Sequence, residues 1–214
     1  YHVEDGLPGN FITALSLQSN GLLWIGTGSG LAVRQDGKFR TLPISALDNS
    51  DYVFDFYPST VSDELWFATD RGIARIEPGT LALQLVGRAA GLPFDKVFAI
   101  VPQGQDYFWL STNRGVLRIK QQEARAVATG QAKRLQGYEL FGESDGMLSA
   151  QANGGSSPAA MVRRNGALWF ATSQGVAMVD PGRLKDFALR TPPVVIQQLI
   201  ADGQLYQLTD AGFP

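Results

Sequence analysis

Trp24-Ile25-Gly26-Thr27-Gly28-Ser29-Gly30-Leu31 is the first of four copies of one phrase, and that phrase decides the fold. The others are Trp66-Phe67-Ala68-Thr69-Asp70-Arg71-Gly72-Ile73, Trp109-Leu110-Ser111-Thr112-Asn113-Arg114-Gly115-Val116 and Trp169-Phe170-Ala171-Thr172-Ser173-Gln174-Gly175-Val176. Every tryptophan of the chain heads a copy. In each, the third residue is small, the fourth is Thr, the seventh is Gly and the eighth is aliphatic. Agreement at these positions in all copies marks an internal repeat.

Each copy reads as an apolar run, a polar pair, a Gly and a second apolar run, which is a β-hairpin. Gly30, Gly72, Gly115 and Gly175 supply the positive φ that a tight turn between twisted strands demands. Upstream of each Trp lies another apolar run: Phe11 to Leu17, Val53 to Tyr57, Val97 to Val101, and a weaker one at Ala159 to Val162. Downstream, Lys38-Phe39-Arg40, Leu83 to Val86 and Tyr138 to Phe141 read as an outer strand. Four short antiparallel strands at a spacing of 42 and 43 residues between the first three tryptophans is the period of a β-propeller blade. The fold class is therefore all-β, about four four-stranded antiparallel blades. Blade packing is the ordinary role for the four indoles, with sugar stacking as the alternative, and truncating such a buried Trp to Ala costs about 3 to 5 kcal/mol.

Composition narrows the function. The chain has 214 residues and a net charge of −2 with no basic run, so nothing points to nucleic acid. It has no cysteine, which excludes disulfides and thiolate metal sites and fits an oxidising compartment. No apolar stretch is long enough for a membrane helix. The single histidine, His2, stands outside any cluster, so no His-based acid, base or metal set can be assembled. No metal, cofactor or catalytic residue is expected.

In chain order, the expected blades span about 5–42, 50–88, 91–142 and 145–184, within a propeller region 1–190. Residues 1–4 read as the tail of a further blade, and the chain as a piece of a longer protein. Between the third and fourth Trp the spacing rises to 60 residues. The surplus at 120–135, rich in Ala, Gln, Glu and Arg, predicts a short amphipathic helix stopping near Gly130, set on the surface as a decoration. Asn153-Gly154-Gly155 makes the innermost strand of the fourth copy polar and permissive. From Thr191-Pro192-Pro193 the pattern changes, and 191–214 reads as a linker and the first strand of a following β-sandwich.

The phrase Asp5-Gly6-Leu7-Pro8, an apolar strand, a turn, then Leu-Trp-Ile-Gly-Thr with Gly-Leu closing the hairpin resembles the two-component regulator propeller repeat. The segment from Pro192 to Gly203 resembles the start of the Ig-like YYY domain that follows such propellers. The resemblance implies the extracytoplasmic, periplasmic sensor region of a bacterial membrane receptor whose output is a histidine kinase or diguanylate cyclase. Ligand binding would be transmitted through the Ig-like domain, and the ligand it implies is an oligosaccharide or another small extracellular molecule. The fragment itself would be a sensor module and no enzyme.

In a propeller, the hairpin turn and the loop between blades open on one face. That face would carry Arg71 and Arg114, with Ser29 and Gln174 at matching turns, and Asn10, Asp51, Asp95, Lys96 and Asn153 between blades. Two Arg at equivalent turns would suit a planar clamp for carboxylate or sulfate; solvated turn residues are the plainer reading. Asp5 and Asp145 each precede Gly and read as turn caps. Two other functions compete. One is a propeller lyase or glycosidase, for which a carboxylate pair such as Asp51 and Asp95 would stand in ordinary turns. The other is a scaffold for protein association or a secreted carbohydrate-binding module. Four blades leave two open flanks, so the fragment is expected to dimerise.

Overall fold

Each Trp phrase folds as the central hairpin of an antiparallel sheet. The structure, a computed structural model, describes residues 1–59, 62–155, 157–184, 199–201 and 204–206. The first sheet runs β1 (Ile12–Leu17), β2 (Leu23–Thr27), β3 (Gly30–Gln35) and β4 (Lys38–Leu42) in sequence order, and the second runs β5 (Val53–Pro58), β6 (Leu65–Thr69), β7 (Gly72–Ile76) and β8 (Leu83–Val86). The third contains β9 (Val97–Gln103), β10 (Tyr107–Thr112) and β11 (Gly115–Lys120); helix α1 (Gln121–Ala128) then intervenes before β12 (Glu139–Phe141). The fourth has three strands among the described residues, β13 (Ala160–Val162), β14 (Leu168–Thr172) and β15 (Gly175–Val179). Its expected outer strand is not among them. Successive innermost strands pack together, β1 on β5, β5 on β9 and β9 on β13. This is the stacking of propeller blades.

The chain divides into two units, Tyr1–Asp180 and Pro181–Pro214. In the second, β16 (Leu199–Ala201) and β17 (Gln204–Tyr206) form a two-stranded antiparallel sheet. Most of the segment expected to open an Ig-like domain lies outside the described residues.

The repeat positions explain themselves in the core. Trp24, Trp66 and Trp109 are fully buried. Trp24 shares a cluster with Val53 and Phe56 of the next blade, and Trp66 meets Phe108 edge-on, ring centroids 5.2 Å apart. Trp24 and Trp66 therefore weld one blade to its successor, while Trp109 stacks on Phe141 of its own sheet, ring centroids 5.1 Å apart. The small residue two positions on serves the same contact: a Cβ on Gly26 would stand 2.7 Å from Val53 Cγ1. In the second and third hairpins the repeat Gly carries two constraints. Gly72 has φ +124°, and a Cβ there would lie 2.3 Å from the Val86 carbonyl oxygen of the outer strand.

The helical insertion is more than the surface decoration expected from its composition. Gln121, Ala124 and Ala128 are buried, and Ala124 and Ala128 join the core shared by the second and third blades. Gln121 Nε2 donates to the carbonyls of Gly104 (3.2 Å) and Tyr107 (2.9 Å). Arg125 Nε donates to Glu64 Oε2 at 2.8 Å, while Arg75 Nε donates to Glu64 Oε1 at 3.0 Å. Burial pushes the Glu64 carboxyl upward, but the two guanidiniums outweigh it and hold the group below its usual range. The helix thus clamps the second blade to the third.

Candidate functional site

The invariant Thr builds the four turn tips. In each hairpin its hydroxyl donates to the carbonyl of the Gly three residues on and accepts the N–H of the second loop residue. For Thr69 these bonds run to Gly72 O and from Arg71 N, both 3.0 Å; for Thr112, to Gly115 O at 2.8 Å and from Arg114 N at 3.0 Å. Thr27 and Thr172 repeat the pattern with Ser29 and Gln174. Four side chains are thereby presented at the end of the sheets where β1, β5 and β9 begin.

The candidates differ in their neighbouring polar groups. Arg71 Nε donates to the Asp48 carbonyl at 2.9 Å and Nη1 to the Asp70 carbonyl at 2.9 Å, so its guanidinium is occupied by its own loops. Asp70 Oδ1 accepts from Ser50 Oγ (2.7 Å) and from the N–H groups of Asp51 and Tyr52, ordering the entry to β5. Arg114 is exposed, its guanidinium 5.6 Å from the Phe94 ring centroid. Asn10 accepts the Val3 N–H at 2.9 Å, and Asp95 pairs with Arg88 at 3.6 Å on the surface. Asn153 Nδ2 donates to the Thr172 carbonyl at 3.3 Å, while Lys96 and Gln174 are exposed. Asp5 and Asp145 accept the N–H of His2 (2.7 Å) and Gly142 (2.9 Å), capping their turns.

The sequence reading did not single out an aromatic run across this end of the blades. Phe11 meets Tyr52 edge-on at 6.4 Å, Tyr52 stacks on Phe54 at 4.3 Å, and Phe54 meets Phe98 edge-on at 5.0 Å. Two glycines let the rings approach. A Cβ on Gly28 would lie 3.2 Å from both Phe11 and Tyr52, and one on Gly154 would lie 2.2 Å from Phe98. The run therefore spans from the first blade to the loop of the fourth, with Phe11 62% exposed.

Beside it, Asp55 of β5 occupies the place that Ala14 and Ala99 hold in the flanking blades. Its Oδ2 accepts the Ile100 N–H of β9 at 3.2 Å. Burial pushes its carboxyl up to about 6, against the lowering effect of the Ile100 and Phe56 N–H groups. Among the described residues, no group of three or more His, Asp or Glu is placed to hold a metal ion.

This architecture is a run of β-propeller blades with a polar and aromatic loop face. Residues 6–29, the turn and the first Trp hairpin, match the family model of the Two component regulator propeller. Among solved structures, the chain is similar to the extracellular domain of a protein described as a hybrid two component system from B. thetaiotaomicron: 21% identity, TM-score 0.72, covering 99% of this chain and 28% of that one. A second such extracellular domain from the same organism gives 15% identity and TM-score 0.60, covering 83% and 22%. PorZ, a surface component of the type-IX secretion system of Porphyromonas gingivalis, gives 14% identity and TM-score 0.53, covering 80% and 26%. This chain thus spans under a third of each of these structures. No curated protein matches it.

Proposed function

We propose that the chain is the ligand-sensing region of a bacterial signal-transduction receptor, positioned outside the cytoplasmic membrane, that passes ligand occupancy on through a following Ig-like module to a histidine kinase or diguanylate cyclase. The aromatic run Phe11–Tyr52–Phe54–Phe98 at the turn-bearing end carries this reading. Rings in series offer stacking surface, and the exposed Arg114, Asn153 and Gln174 stand at the same end to bond hydroxyl or anionic groups. That combination suits an oligosaccharide. The repeat matched at 6–29 and the extracellular domains of hybrid two component systems among the similar structures support it.

Calorimetric titration with a panel of oligosaccharides tests it. A binder should be weakened about tenfold or more by Tyr52→Ala or Phe11→Ala. Binding that neither substitution changes would refute the site.

A second reading, a scaffold for protein association, is favoured by one observation. The first blade exposes Leu15 (64%) and Leu17 (69%), and the fourth exposes Val176 (60%) and Met178 (59%). Such faces invite a further blade or a second copy of the chain. Light scattering that shows a stable monomer at micromolar concentration would remove it.

A further inference from the structure

The third blade carries a cleft of about 290 Å³ on which the reading above does not draw. It lies between the end of β11, helix α1 and the stretch Gln136 to Glu139. Its volume sits at the small end of the range for ligand pockets, about 300 Å³ and upward.

The lining is charged but balanced. Arg118 Nη2 donates to Glu139 Oε1 at 2.7 Å, and its guanidinium lies over the Tyr107 ring, 4.6 Å from the centroid. Lys120 Nζ pairs with Glu123 at 3.3 Å. Each cation has its own anion, so the cleft has no net charge with which to attract an anion or a cation. Capacity for hydrogen bonds nevertheless remains. Glu139 is half exposed, the side chain of Gln136 is exposed, and Tyr138, 45% exposed, offers both a ring and a hydroxyl.

We propose that this cleft is a second ligand site that takes a neutral polyhydroxyl molecule, a sugar ring or its equivalent. Such a ligand needs donors and acceptors side by side, which Lys120, Gln136 and Glu139 provide without breaking either ion pair. It also needs an apolar ring against its C–H face, which Tyr138 provides. A carboxylate ligand would enter a lining that sets Glu123 and Glu139 beside Lys120. A zwitterion would have to displace one pair. The site stands or falls independently of the turn-bearing face.

The test is an amide-shift titration by NMR of the chain with maltose, cellobiose and lactose, each to about 10 mM, and with glucuronate and glycylglycine as charged probes. The expected result is shifts at residues 118–123 and 136–139 with at least one disaccharide, weakened about tenfold in Tyr138→Ala and in Gln136→Ala. Both replaced side chains lie on the surface, and unchanged spectra elsewhere verify the fold. Shifts confined to residues 10–11 and 52–54 would overturn the cleft while leaving the face intact as a site. So would shifts at 136–139 that survive both substitutions, or that only glucuronate or glycylglycine produces. Shifts at 136–139 alone would support the cleft and count against the face.

Discussion

Replacing Asp55 by Asn should stabilise the chain at neutral pH. The side chain sits where the neighbouring blades place Ala14 and Ala99, and burial lifts its carboxyl from 3.8 to about 6. At about 1.4 kcal/mol per tenfold, that displacement amounts to roughly 3 kcal/mol against the charged form near neutrality. Asn keeps an oxygen for the Ile100 N–H, now 3.2 Å from Asp55 Oδ2, so the substitution reads the charge and spares the bond. The sign follows from proton binding. Between 3.8 and about 6 the folded state holds a proton that the unfolded chain has released, so the wild type gains stability on acidification and loses it as pH rises through about 6. The Asn variant lacks this dependence. Urea unfolding followed by tryptophan fluorescence, at about pH 4.5 and about pH 7.5, should show an advantage of roughly 2 to 3 kcal/mol for Asp55→Asn at the higher value and clearly less at the lower. A variant no more stable than wild type at about pH 7.5, or an advantage equal at both values, would refute the reasoning.

Gly72→Ala should cost about 3 kcal/mol or more in urea unfolding, because its Cβ meets the Val86 carbonyl at 2.3 Å. Gly175→Ala, with φ +121° and no atom of the described residues within 4 Å of the added Cβ, should cost the backbone strain of about 1 to 3 kcal/mol. Equal costs would remove the outer strand from the explanation. Thr112→Val should destabilise by about 2 kcal/mol through loss of the bonds to Gly115 O and from Arg114 N, with faster amide exchange confined at first to that turn. Glu64→Gln should loosen α1 from the second blade, raising amide exchange over Gln121–Ala128 and costing about 3 kcal/mol. Because the Glu64 carboxyl is held low, its contribution is present above the ordinary carboxylate range and disappears as pH falls through the lowered value. An exchange pattern over α1 unaltered by the substitution would show the clamp to be idle.

The blades were legible because one phrase recurs with its Trp, Thr and Gly in fixed places, and each of those residues answers a constraint of the hairpin or of the next blade. The aromatic run was not. Register shifts between Ile12 and Ala14 and between Val53 and Asp55 put an extra residue into β1 and β5, and another irregularity marks the pairing of β9 with β10. Alternation read straight through a bulge assigns side chains to the wrong face. Phe54 packs against the core of the second and third blades and also meets Tyr52 and Phe98, a double role that a list of apolar residues does not show. Asp55 did leave a trace, as the charged residue within Val53-Phe54-Asp55-Phe56. The helix was found but misjudged: Gln121 counts as surface by composition, whereas the carbonyls that bury it come from the Gly104 and Tyr107 region, which composition cannot bring together. Arg71 looked free for a similar reason, since its partner Asp48 lies in the preceding inter-blade loop.

In every hairpin the second turn residue gives its main-chain N–H to the Thr hydroxyl, and that contribution is the same whether the residue is Ser29, Arg71, Arg114 or Gln174. At Arg114 and Gln174 the side chain is therefore spelled independently of the hairpin that displays it, whereas Arg71 also ties its guanidinium to the Asp48 and Asp70 carbonyls. A library randomised at codons 114 and 174, proline excepted, should keep its members folded while rewriting what this end of the molecule touches, which makes those turns a socket with interchangeable contacts.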